Sequence, residues 1–275
     1  MTNRNDWKLG AATGILRGVD NFTPEGFSQY KKASVECCEL SIWPQHMERF
    51  DFIDHPEKLG NIIKDAGVRI HSVHLPYTDG ASLSSPDEKI TKDSLDIIKV
   101  AIRAAAKIGA KVVVIHPSAG HYDEWDSREE LLCHSIKCVK EVCEYANSFN
   151  LKCAVENMVK GGICNKASEI LRYLKEIPSL GLCFDLNHSL IDTNEEVFNR
   201  LIEENMHGRI YHIHVSDYDF VNERHWLPGR GITDWNMIMS KLEELNYEGA
   251  WMYEVGGEGI DCEIVAENYN ELKNL

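Results

Sequence analysis

The sequence predicts a single-domain α/β protein, a (β/α)8 TIM barrel spanning residues 1–275. Three observations carry that expectation. Short apolar runs alternate with longer amphipathic stretches along the whole chain, which implies parallel strands joined by helical crossovers. Eight such runs can be counted, and eight parallel strands close on themselves. The length of 275 residues lies somewhat above the ~250 typical of one such barrel.

The strand candidates are Lys8–Thr13 (KLGAAT), Val35–Ile42 (VECCELSI), Arg69–Leu75 (RIHSVHL), Lys111–His116 (KVVVIH), Lys152–Asn157 (KCAVEN), Gly181–Leu186 (GLCFDL), Arg209–Val215 (RIYHIHV) and Ala250–Val255 (AWMYEV). Each is short and rich in β-branched, cysteine or aromatic residues. Between them, Thr91–Ile108 places Leu95, Ile98, Ile102 and Ala105 at helical spacing, with Gly109 as its C-cap. Glu129–Phe149 and Asp234–Leu245 read the same way, with Asp234 as an N-cap. Two loops are long, 77–91 after strand three and 217–233 after strand seven. Both follow strands, so both belong to the face where a barrel builds its site. No GxGxxG opens a helix, which weakens the rival open sheet that binds a dinucleotide.

Composition excludes several classes. The formal net charge of −15, from 29 Lys and Arg against 44 Asp and Glu, argues against nucleic acid as a partner. No apolar run approaches the ~20 residues that span a membrane, and the first residues lack the apolar core of a signal peptide. The nine cysteines form no CxxC pair and lie in helical or strand-like runs. They are expected to be buried, reduced thiols of a cytoplasmic protein.

Polar residues gather at the C-terminal ends of the strand candidates: His74, His116, Glu156, Asp185, His188, His212, His214 and Glu254. In a parallel barrel those ends converge on one face. A charge that closes an apolar strand is costly to bury unless it is paired or metal-bound. Glu156, Asp185, His214 and Glu254 would offer three carboxylates and one imidazole to a divalent metal ion. Without a thiolate, the set suits manganese, magnesium, cobalt or zinc. Other positions read as structural. His71, His121 and His207 are expected in packing or loop roles, and so, less firmly, is His212. Asp217 is expected to cap or orient its loop, while Glu36 and Glu39 stay open between a hydrogen bond to substrate or to a ligand histidine and a surface or second-layer role. Trp43 and Trp226 either stack on a sugar or simply pack. Gly256, Gly257 and Gly259 form a phosphate nest or a plain turn.

These residues resemble the xylose-isomerase-like barrels, which include sugar-phosphate isomerases and epimerases, ketose 3-epimerases, inosose-handling enzymes and endonuclease IV. The resemblance runs from VECCELS to YEVGG. Its marks are HLPY at His74, HPS at His116, VEN at Glu156, DLNH from Asp185 to His188, HVSD at His214 and HWLPGRGITDW from His225. It implies a sugar, sugar-phosphate or polyol isomerase or epimerase. Glu156, Asp185, His214 and Glu254 would hold the metal, and the two glutamates would pass a proton through a metal-stabilised enediolate. His188, His74, His116, His225 and Glu223 would meet the substrate. The partner is a small sugar or polyol, and barrels of this type often pair as homo-oligomers.

Two other readings stand beside it. The pattern of endonuclease IV, a multi-zinc phosphodiester hydrolase, maps onto His74, His116, Glu156, Asp185, His188, His214, Glu223, His225 and Glu254, with Glu223 where that enzyme has Asp. Ketose 3-epimerases usually carry an Arg shortly after the metal His, whereas here Phe220 lies in that region and the nearest Arg is Arg224. The last reading is a barrel that binds metal and ligand without turnover.

Overall fold

A computed structural model describes residues 2–42, 52–77, 82–119 and 127–275. Eight strands run through it: β1 (Lys8–Ala12), β2 (Cys37–Ser41), β3 (Arg69–His74), β4 (Val112–Ile115), β5 (Lys152–Glu156), β6 (Leu180–Asp185), β7 (Ile210–His214) and β8 (Ala250–Tyr253). All seven ladders are parallel, in the order β7-β6-β5-β4-β3-β2-β1-β8. A bridge from Val215 to Tyr253 and the bond from Val215 N to Met252 O at 2.8 Å bring the two edges together, so the barrel is nearly closed. The helices between them are α1 (Pro24–Lys32), α2 (Pro56–Asp65), α3 (Glu88–Ile108), α4 (Arg128–Asn147), α5 (Ala167–Glu176), α6 (Asn194–Glu203), α7 (Trp235–Glu244) and α8 (Cys262–Lys273).

The strands lie where the apolar runs predict, with ends moved by a residue or two. Thr13 leaves β1 for a 3-10 turn, and its hydroxyl accepts the Ser41 amide at 3.1 Å. Helix α3 begins at Glu88, not Thr91, because the Asp87 carboxylate accepts the amides of Lys89 and Ile90. Helix α4 stops at Asn147, two residues before Phe149. Gly109 caps α3 with φ of 90°, and Asp234 caps α7, both as expected.

The main core lies between strands and helices and joins residues such as Phe27, Ile102, Val139, Tyr173 and Trp251. Inside the barrel the packing differs. Cys37, Ala250 and Met252 form one small apolar cluster there, and Val112, Val114, Ala154 and Cys183 another. Gly10 meets the first. A Cβ at that position would sit 2.7 Å from the Met252 Cε atom, so the interior leaves no room for a side chain. Strand alternation then carries the same faces on to Glu39, Ser72, His74, Glu156, Asp185, His212 and His214, all buried. The site therefore grows out of the barrel interior. Among the described residues, no helix is long and apolar enough to cross a membrane.

Candidate metal centre

Parallel register sets the floor of the site. Asp185 pairs with His214 across β6 and β7, and Glu156 pairs with Cys183 across β5 and β6. Glu254 follows the last residue of β8. Ligand atoms of Glu156, Asp185, His214 and Glu254 all lie within 4.8 Å of one another. His214 Nδ1 is the hub, 3.0 Å from Glu156 Oε1, 3.1 Å from Glu254 Oε2 and 3.5 Å from Asp185 Oδ2. The Asn157 side chain fixes Asp185 by bonding its backbone N and O at 2.7 and 2.9 Å. Asp185 Oδ2 is fully buried and has no hydrogen-bond partner. A buried carboxylate oxygen left without a donor, beside two further carboxylates and an imidazole nitrogen, fits a divalent cation.

Electrostatics support the same reading. Burial alone would raise Glu156, but the imidazoles of His214 and His116 hold it well below the usual carboxylate range. Burial also works against Asp185, which His188 and His214 nonetheless lower. Glu254, whose side chain is 28% exposed, is pushed up by its partial burial and by Asp185 and Glu156. His214 resists its burial and stays well above an ordinary histidine, in the combined field of Cys183, Glu254, Glu39 and Glu156.

Two more clusters flank the floor. His74 Nε2 and His116 Nε2 approach Glu156 Oε2 at 2.9 and 3.0 Å. His188, Glu223 and His225 form the other cluster, with His225 Nε2 2.6 Å and His188 Nε2 3.5 Å from Glu223 Oε1. Three of these rings share a local rule. His74 Nδ1 lies 3.1 Å from Leu75 O, His188 Nδ1 2.8 Å from Asn157 O and His225 Nδ1 3.0 Å from Glu254 O. A carbonyl only accepts, so Nδ1 carries the proton in each, and Nε2 of the neutral ring is a lone pair aimed at a carboxylate. Such a contact needs a second proton on the ring or a cation between the partners. Accordingly His188 rises to about 10 against its burial, driven by Asp185 and Glu223, and His225 to about 9, driven by Glu223. His116 goes the other way, and burial pushes it down to about 4.

The loop from β7 to α7 is anchored by Asp217. Its buried carboxylate accepts the amides of Gly229, Gly231 and Thr233, the Thr233 hydroxyl and the Trp235 indole N–H. This is the loop-orienting role its sequence position suggests. His225, on the same loop, has a φ of 49°. That left-handed conformation costs a bulky residue about 1–2 kcal/mol, and the bonds to Glu254 and Glu223 offset it.

Above the clusters opens a cleft of about 490 Å³, lined among others by His74, Tyr77, His188, Glu223, His225 and Glu254. All nine candidate site residues thus come together, some in contact with the cleft and some beneath it. Trp43 and His121 lie outside the described residues. Trp226 is not at the cleft floor; its ring lies 5.4 Å from the Arg224 guanidinium carbon. Gly256 spends its amide on His225 O at 3.0 Å, and Gly257 and Gly259 have positive φ, as in a turn. His71 stacks on His212 at 5.3 Å, away from the cleft. Of the roles the sequence leaves open for Glu39, the structure shows a bond to a candidate ligand histidine, with His214 Nε2 at 2.9 Å. Its signal was alternation, which sends Glu36 outward to Lys8 and Arg69 and Glu39 inward.

A parallel eight-stranded barrel with carboxylates and imidazoles converging at its C-terminal mouth defines the class: an α/β barrel with a candidate divalent-cation centre. The chain belongs to the xylose isomerase-like TIM barrel family, whose model matches residues 27–274. An uncharacterised protein of Methanocaldococcus jannaschii is 27% identical over 210 residues, covering 74% of this chain and 70% of the relative. Fructoselysine 3-epimerase of Shigella flexneri is 26% identical over 187 residues, 64% of each chain. L-ribulose-5-phosphate 3-epimerase of Salmonella typhi is 23% identical and covers 73% of this chain and 69% of its own. Among solved structures, a D-tagatose 3-epimerase-like protein superposes with a TM-score of 0.79 at 23% identity, covering 97% of this chain and 98% of that one. The fold is shared with that protein over almost the full length.

Proposed function

We propose that the chain is a divalent-metal-dependent isomerase or epimerase acting on a small sugar, sugar phosphate or polyol. The observation that carries this reading is the placement of Glu156 and Glu254, which both bond the Nδ1 edge of His214 at the foot of the cleft. Relatives that are 3-epimerases of sugar derivatives support it. Glu156, Asp185, His214 and Glu254 would hold the ion. When bound, the ion supplies Lewis acidity to a carbonyl and its neighbouring hydroxyl. Glu254, with its side chain partly exposed at the cleft, takes or returns the proton on the carbon between them, and Glu156 serves as its counterpart. His74 and His116 orient Glu156 while their edges face the cleft. His188, His225 and Glu223 meet substrate hydroxyls. The free thiols suit a reducing compartment such as the cytoplasm.

The test is turnover on a panel of ketoses and inososes, with deuterium uptake from heavy water at the exchanged carbon. Glu156→Gln and Glu254→Gln are each expected to lower turnover by about 100-fold or more. Full turnover in both variants rules the reading out.

A second reading is a phosphodiester hydrolase with several zinc ions. The observation in its favour is the division of nine residues into three tight clusters, with three rings held in the Nδ1–H form that leaves Nε2 free to ligate. The net charge of −15 opposes a duplex substrate. Elemental analysis separates the two in wild type and in the His74→Ala/His116→Ala variant. About one ion per chain, unchanged in the variant, supports the epimerase; about two or three zinc ions, falling in the variant, support the hydrolase.

A further inference from the structure

We propose that Glu39 is a positioning residue that dictates which nitrogen of His214 faces the carboxylate cluster, and so sets the affinity of that cluster for a divalent ion. This rests on the metal-dependent reading above.

Glu39 sits on β2, fully buried in the barrel interior. Among the described residues, its ion-pair partners are His212 and His214 alone. Three donors converge on its two oxygens. His214 Nε2 lies 2.9 Å from Oε1, while His212 Nε2 at 2.9 Å and the Ser72 hydroxyl at 2.7 Å share Oε2. A β-bulge between Cys38 and Glu39 adjusts the ladder to β3 here and leaves Glu39 directly opposite Ser72. The arrangement is closed, and no oxygen of Glu39 reaches the cleft lining.

A carboxylate only accepts, so His214 must place a proton on Nε2. The neutral ring then keeps its lone pair on Nδ1, the atom that faces Glu156, Asp185 and Glu254. If the proton sat on Nδ1 instead, an N–H would point into the cluster and bar a cation. Carboxylates that hold the far nitrogen of a ligating histidine also raise its basicity. Ser72 and His212 complete the device by fixing the Glu39 carboxylate plane. A Gln here matches the shape but brings an NH2 group. That group must face one of two imidazole N–H groups unless a ring changes tautomer, and the negative charge is gone.

The measurement is metal affinity, by calorimetric titration of the chelator-treated full chain with manganese, cobalt or zinc. Glu39→Gln is expected to bind about 10- to 100-fold more weakly than wild type. In chelator the variant should still unfold cooperatively, though at a lower temperature, because Gln keeps the volume but removes the charge that faces His214 and His212. Equal affinity, within about twofold, overturns the proposal. If the variant does not fold, the wild type still decides, through nitrogen-15 shifts of labelled histidine in the zinc-loaded protein. Zinc on Nδ1 with a proton on Nε2 of His214 is the expected state, and the reverse pattern overturns it. Absence of metal binding by the wild type would reject the metal-dependent function itself. Tight binding that Glu39→Gln leaves unchanged rejects only the positioning role.

Discussion

His214, His188 and His225 all face carboxylates, and each is held above the usual histidine range against its own burial. At neutral pH, without an ion, they carry protons. A metal ion held by Glu156, Asp185, His214 and Glu254 needs the His214 lone pair, so loading the site must expel that proton. Because His214 is held well above an ordinary histidine, metal affinity should therefore rise as the pH climbs above 7. Calorimetry in buffers of different ionisation enthalpy should show release of about one proton or more per chain. Zero release at pH 7 contradicts this. The sign for stability follows from the same shifts. A histidine raised to about 9 stabilises the fold fully below its unfolded value of about 6.5 and loses that contribution as pH climbs through 9. The metal-free chain should unfold at lower temperature at pH 9.5 than at pH 6. The loaded chain, with the His214 ring neutral, should show a flatter profile.

Four strands end on a site residue, and this is why so much of the site is legible in the sequence. Glu156, Asp185 and His214 close β5, β6 and β7 after apolar residues, and parallel register does the rest. What cannot be read along the chain is contact across the barrel. Glu39 and His214 are 175 positions apart, and no local pattern distinguishes a glutamate that meets a histidine from one that meets Ser72 alone. Helix ends slipped for the opposite reason, since the Asp87 cap depends on two local hydrogen bonds rather than on apolar spacing. The β7–α7 loop lies between these cases. Asp217 could be recognised as an anchor by type, but not the six donors it gathers. Replacing it with Ala strands several of those donors, at about 1–3 kcal/mol for each that water does not reach. Asp217→Ala should destabilise the protein by about 3 kcal/mol and expose the amides of residues 217–233 to hydrogen exchange. Because the loop carries Glu223 and His225, that variant should also bind a sugar ligand more weakly. Unchanged exchange in the loop would show that Asp217 is not its anchor.

Across the whole molecule, stability and function are built in different compartments. Barrels of this kind usually fill their interior with branched apolar side chains. Here the apolar interior is confined to two small clusters, and the layers above them hold buried carboxylates and imidazoles. The large continuous core lies outside the strands, against the helices. Removing an ion should therefore leave the barrel folded, unlike small domains that exist only around their metal. Adding one should relieve the repulsion among Glu156, Asp185 and Glu254 and stabilise the native state alone. At a free concentration 100 times the dissociation constant, linkage gives about 2.7 kcal/mol. For a domain of this size that amounts to a rise of about 5 °C or more in Tm. Calorimetric scans in chelator and in excess manganese or zinc test both halves of the expectation. A cooperative transition in chelator, moved upward by metal and moved less in Glu254→Gln, is the expected result. Collapse of the fold in chelator would mean that the outer core does not carry the barrel by itself. A Tm indifferent to every divalent ion would mean that the three carboxylates meet at the mouth without binding one.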